Sequence, residues 1–132
     1  MNAPARRIAT VVLVVRDYDE AIAWYVEKLG FSLHQDVDLG EGKRWVLVGP
    51  QGEGARLLLA QAKDERELSR VGDQTGGRVF LFLETDDFDR DHRAMRERGV
   101  TFSEEPRREG YGTVAVFADL YGNLWDLIEP KR

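Results

Sequence analysis

Apolar positions switch spacing along this chain, and the switch happens twice in the same order. Residues 8–15 are an apolar run, unbroken from Val11 to Val15, and end at an acidic turn, Asp17-Tyr18-Asp19. Tyr18, Ile22, Tyr25 and Leu29 then fall at i, i+4, i+7 and i+11, the spacing of one helix face. Gly30-Phe31 follows and opens a new extended run. Residues 78–102 repeat the pattern, with Asp87-Phe88-Asp89 standing 70 positions after the first turn and Phe88, His92, Met95 and Gly99 repeating the helical spacing. A stripe of this kind packs a helix on a sheet.

The local chemistry at the helix ends agrees with this reading. Asp17 and Asp87 stand where a side-chain oxygen caps free N–H groups, and Gly30 and Gly99 suit a left-handed stop. Trp24 lies off the stripe, where it is either partly exposed or set against a partner surface. After each helix come further strand-like runs: Trp45–Val48 and Arg56–Ala60 around a Gly/Pro-rich turn in the first half, Thr113–Phe117 and Leu124–Ile128 around Tyr121-Gly122-Asn123 in the second. The pattern therefore predicts βαβββ twice: module one over about 6–62, a charged and glycine-containing linker over about 63–77, and module two over about 78–129. Together they make a single domain over 1–132.

Composition narrows the function. In 132 residues, 42% hydrophobic and 33% charged, there is enough apolar material for a core. No apolar stretch approaches the ~18 residues of a membrane span, and no apolar run follows Arg6-Arg7 as in a secretory signal. With no cysteine, disulfides, thiolate metal sites and cysteine nucleophiles are excluded, which fits a cytoplasmic protein. A net charge of −5, with Arg6-Arg7 and Arg107-Arg108 as isolated pairs rather than a basic stripe, argues against a nucleic-acid partner. The glycines of residues 72–77 lack the lysine of a phosphate loop, and Ser32, Ser69 and Ser103 lie in no nucleophile elbow.

The stretches VVLVVRDYDEAIAWYVEKLGF, TDDFDRDHRAMRERGVTF and YGTVAVFADLYGNLWDLIEP resemble the vicinal oxygen chelate superfamily, which includes glyoxalase I, extradiol dioxygenases, fosfomycin-resistance enzymes and bleomycin-resistance proteins. The resemblance covers nearly the whole chain. It implies an α+β fold in which two βαβββ modules form an open eight-stranded mixed sheet, a cup with helices packed outside. It also implies one ligand site in the cup and, often, a homodimer. It does not name a reaction.

Metal-dependent members place ligands on four strands that point into the cup. By the resemblance and the internal repeat, those positions are Thr10, Leu58, Phe80 and Asp126. One carboxylate and one hydroxyl fall short of the roughly three N or O ligands a catalytic divalent ion takes. Moving two residues along gives Val12, Ala60, Phe82 and Ile128, which is poorer still. Glu84 shares parity with Phe80, and Glu84 with Asp126 and His34 is the one weak metal set left open. His92 maps onto Ile22 on the packing face of the first helix and reads as a packing histidine; His34 reads as an edge or surface residue. No metal and no cofactor are expected.

Without metal, Asp126 beside Phe80 and Leu58 has two readings. Desolvation raises its pKa and makes it a general acid or base or a hydrogen-bond acceptor for a ligand, or an arginine pairs with it and closes the barrel end. Thr10 is either a polar contact or a strand former. Arg107 and Tyr111, in the charged segment Glu104–Gly112, are placed to meet an anionic group and to stack on a ring, or else belong to a solvated loop. Trp45 and Phe82 offer aromatic lining or plain core. The expected function is binding of a small organic ligand in the cup without catalytic metal. The alternatives are a metal-dependent lyase, isomerase or dioxygenase, and a metal-free acid–base enzyme using Asp126.

Overall fold

A computed structural model describes residues 4–132. The first half consists of β1 (Thr10–Val15), α1 (Tyr18–Glu27), β2 (Ser32–Gly40), β3 (Lys43–Gly49) and β4 (Arg56–Gln61). A one-turn helix α2 (Glu65–Leu68) lies in the connection. The second half consists of β5 (Val79–Glu84), α3 (Phe88–Glu97), β6 (Thr101–Phe102), β7 (Arg107–Glu109), β8 (Gly112–Ala118) and β9 (Leu124–Pro130). The strands form two mixed sheets, ordered β1-β4-β3-β2 and β5-β9-β8-β6, with β7 added on β8. The fold is α+β, and its two halves are wired alike. β7 is a ninth strand beyond the eight that the repeat predicts. It forms because Arg107–Glu109 pairs back on Gly112–Val114 as a hairpin.

Both long helices start on an aspartate. The Asp17 carboxylate accepts from the Glu20 amide at 2.9 Å, and the Asp87 carboxylate accepts from the Arg90 amide at 3.1 Å. Each satisfies an amide that the helix leaves unpaired. Both helices stop before a glycine in the left-handed region, Gly30 at φ 73° and Gly99 at φ 92°.

Strand alternation decides which residues meet the helices. On β1 and β4, Leu13, Val15, Leu57 and Leu59 are buried. On β8 and β9, Ala115, Phe117, Trp125 and Leu127 are. These belong to one core that also takes in Tyr25 of α1, Phe31 and, from α3, Phe88 and Met95. The aromatic contacts cross between the halves, with Trp125 lying 6.0 Å from Tyr25, 6.1 Å from Phe31 and 5.8 Å from Phe117, ring centre to ring centre. A buried polar joint accompanies them. The Tyr25 hydroxyl donates to Asp119 at 2.6 Å, and Asp119 also accepts from the Asn123 side chain at 3.0 Å. Burial first, and the adjacent Asp119 second, push the Tyr25 hydroxyl well above the usual phenol range, so it remains a donor.

The outer edge of β1 is covered by a side chain. Gln74 accepts from the Val14 amide at 3.2 Å and donates to the Val12 carbonyl at 3.1 Å, standing in for a neighbouring strand.

Candidate functional site

The sheet faces turned away from the helices carry the candidate residues. Residues paired in register share a face, which fixes the lining. On the first sheet Val12 pairs with Leu58, Leu58 with Leu47, and Trp45 with Val37. On the second, Phe82 pairs with Asp126, Asp126 with Val116, and Ile128 with Val114 and Glu84. These open faces are apolar and poorly covered: Phe82 is 64% exposed, Val37 48%, Val12 47% and Trp45 39%. Trp45 is held upright by its indole N–H, which donates to the Gln35 side chain at 2.8 Å.

Leu58 and Asp126 hold the same place in the two halves, as the repeat implies. Their partners on the neighbouring first strands are Val12 and Phe82, two residues beyond Thr10 and Phe80. Thr10 lies opposite Arg56 at the strand's start and lines a cleft of about 690 Å³ with Arg56, Leu47 and the glycine loop. Phe80 sits on a bulge between Val79 and Leu81 and lays its ring edge-on against Trp125 at 6.1 Å, off the open face. Phe82 and Glu84 line a second cleft of about 340 Å³ together with Phe31, Trp125 and the loop at residues 49–56. Neither cleft includes Leu58, Phe80 or Asp126.

Asp126 is the chemically distinctive member. It is 8% exposed, and its Oδ1 is one of two buried side-chain polar atoms without a hydrogen-bond partner among the described residues, the other being Trp125 Nε1. Burial lifts its carboxyl above the ordinary carboxylate range. The Arg107 charge opposes this in part, and the Glu104 charge adds to it. Arg107 is not free to neutralise Asp126, because its guanidinium donates to Glu104 at 2.9 Å and to Glu109 at 3.2 Å. Tyr111 stands 56% exposed in the β7–β8 turn. Glu104, absent from the sequence-predicted set, was signalled by its i, i+3 spacing to Arg107. Val37, Leu47, Val114 and Val116 carry no such signal, since only the strand register places them on the open faces.

The histidines stand apart from this site. His92 stacks on Phe88 at 5.2 Å and meets Phe102 at 4.5 Å, and burial lowers its pKa. His34 Nε2 lies 3.2 Å from the carbonyls of Gly49 and Pro50. Among the described residues no three of His, Cys, Asp or Glu come together as a metal would require. Thr10, Leu58, Phe80 and Asp126 together offer one hydroxyl and one carboxylate, and the register does not set Thr10 and Phe80 beside Leu58 and Asp126. No helix among the described residues is long and apolar enough to cross a membrane.

A model of the glyoxalase/bleomycin resistance protein/dioxygenase superfamily matches residues 7–127, and the chain belongs to that superfamily. It is 54% identical over 124 residues to an uncharacterized protein of Shewanella frigidimarina (strain NCIMB 400), covering 92% of each chain. Among solved structures it is similar to UcmS2, with TM-score 0.82 and 31% identity over 95% of this chain and 98% of the other. It is also similar to TnmS3, an antibiotic binding protein from Streptomyces sp. CB03234, with TM-score 0.79 and 30% identity over 98% of this chain and all of the other (100%).

Proposed function

We propose that this protein binds a small organic ligand with a flat ring, of the antibiotic type that TnmS3 is named for, on the open sheet faces and without a catalytic metal. The carrying observation is the row of exposed apolar side chains, Val12, Val37, Trp45 and Phe82, on faces that a soluble protein would otherwise bury. Two aromatic rings with aliphatic neighbours suit stacking on a planar ligand. The same exposure supports a homodimer in which the first sheet of one copy faces the second sheet of the other and the ligand lies between. The cysteine-free composition suits work in the reducing cytoplasm.

The test is a titration of the purified protein with bleomycin and with the planar aromatic antibiotic daunorubicin, read by calorimetry and by quenching of tryptophan fluorescence. Saturable one-site binding that weakens at least tenfold in Trp45→Ala and Phe82→Ala supports the reading. Binding indifferent to both substitutions, or no binding, overturns it. Sedimentation equilibrium tests the dimer. One observation favours a second reading: a buried carboxyl without a partner, its pKa raised, suits acid–base catalysis. Turnover lost with binding kept in Asp126→Asn would establish that reading.

A further inference from the structure

Oδ1 of the Asp126 carboxyl has no hydrogen-bond donor among the described residues. Its strand neighbours Trp125 and Leu127 point into the core, so Asp126 points to the open face. Around it there stand Phe82 on β5, Val116 on β8, and Leu124 and Ile128 on its own strand, none of which offers an N–H or O–H from its side chain. The backbone amides of β9 are engaged in the ladders to β5 and β8. A buried acceptor left without a donor carries a penalty that any arriving donor relieves. Phe82 lies directly across from it, about 5 Å away by strand spacing. A ring stacked on Phe82 thus brings a substituent one or two bonds from its edge up to the Asp126 carboxyl, which is 8% exposed.

The charges that face Asp126 decide which donor is preferred. From the segment leading into β7 come Glu104 and Arg107, which act on Asp126 with opposite signs, and Arg107 is bonded to both Glu104 and Glu109. From β5 comes Glu84, two residues beyond Phe82 on the same face. β8 and the rest of β9 at this level contribute only Val116, Leu124 and Ile128. One guanidinium, itself engaged by Glu104 and Glu109, set against the carboxylates of Asp126 and Glu104 leaves a net negative charge when Asp126 is ionised, so a cationic donor gains most.

Resting on the ligand-binding reading above, we propose that Asp126 selects ring-bearing ligands that present a hydrogen-bond donor at the ring's edge, an ammonium N–H ahead of a hydroxyl. Leu58, at the equivalent place in module one, makes no such selection. The two halves of the ligand site therefore differ: one is purely apolar, and the other reads a donor.

Four naphthalenes separate the contributions: the 1-aminomethyl compound as its ammonium ion, its N,N,N-trimethyl analogue, 1-naphthalenemethanol and 1-methylnaphthalene. Affinities are measured by calorimetry on the full chain, on Asp126→Asn and on Asp126→Leu, with thermal melts to confirm that each variant folds. Asp126→Asn preserves size and carries the test if the leucine variant does not fold. The ammonium probe is expected to bind at least tenfold tighter than the trimethyl and methyl probes, with the alcohol between them. That advantage shrinks in Asp126→Asn, which keeps an acceptor but loses the charge, and disappears in Asp126→Leu. Its affinity also falls on acidification as Asp126 takes up a proton, and the fall is absent in Asp126→Asn. Equal binding of the ammonium and trimethyl probes, or an ammonium advantage that is undiminished in Asp126→Asn, overturns the selection while the ring site stands. Failure of all four probes to bind overturns the ring site and the selection with it.

Discussion

Leu58 and Asp126 occupy one position in a duplicated frame, yet they meet opposite demands. Leu58 lies between Val12 and Leu47, and Asp126 between Phe82 and Val116. Both surroundings are apolar, and a leucine suits them at no cost. An aspartate there gives up solvation and gains no hydrogen bond at Oδ1. A residue kept against its own stability cost is the expected mark of a functional position. The duplication supplies an internal control, since module one shows what the same site looks like when only packing is asked of it.

The layer beneath shows a second asymmetry. Trp125 in module two stands where Leu57 stands in module one, and Tyr25 of α1 stands where Met95 stands in α3. The larger and more polar pair, Trp125 and Tyr25, meet at the joint between the halves. Trp125→Ala is expected to cost about 3–5 kcal/mol in urea denaturation. Leu57→Ala should fall at the low end of about 2–5 kcal/mol. Equal losses would remove the claim that the joint is concentrated in module two.

Tyr25→Phe removes one of the donors to the buried Asp119, which keeps those of Asn123, and should cost about 1–3 kcal/mol. Met95→Leu at the equivalent place should cost less than about 1.5 kcal/mol. Both are read from the same denaturation curves.

Asp126→Asn should raise stability at pH 7 by about 1 kcal/mol, because it removes a charge held in an apolar setting. The pH dependence follows from the raised pKa. The folded state holds the Asp126 proton more tightly than the unfolded chain does. This contribution to stability is fully present below the unfolded carboxyl's pKa and is lost as pH rises through the folded value. The gap between Asp126→Asn and the wild type should therefore narrow on acidification from pH 7. A gap constant with pH would assign the effect to packing.

Arg107→Gln should have the smallest effect on stability, since its ion pairs lie near the surface. It should nevertheless move the Asp126 titration further up, because the Arg107 charge is what opposes the upward shift. Carbon-detected NMR of the Asp126 carboxyl checks this. A downward move would show that Glu104 and Glu109, freed from Arg107, no longer act on it.

Much of the architecture was legible along the chain. The repeat at 70 positions, the aspartate caps and the glycine stops are local in origin, because a cap or a left-handed stop depends on residues only a few places apart. The strands were found with their ends too short, as at Trp45–Val48 within Lys43–Gly49. Ladder pairing carries a strand past its apolar centre. The short β7 was not seen because Arg107-Arg108-Glu109 has no strand pattern of its own and extends only by pairing with β8.

The site divides along the same line. That Asp126 is the odd carboxylate in an apolar frame was legible from the resemblance and the repeat; between a desolvated carboxyl and one paired with an arginine the residue types left the choice open. Its neighbours did not follow, because parallel pairing of β5 with β9 joins residues more than forty positions apart, and the bulge at Phe80 shifts which side chains face outward. The engagement of Arg107 by two glutamates is also a tertiary outcome, set by how the β7 hairpin folds over. Sequence alone determined the duplicated frame, since caps, stops and helical spacing are properties of residue identity over a few positions. Only the tertiary structure decided which residues surround Asp126 and that its Oδ1 goes without a partner, since strand register is settled by packing across the sheet.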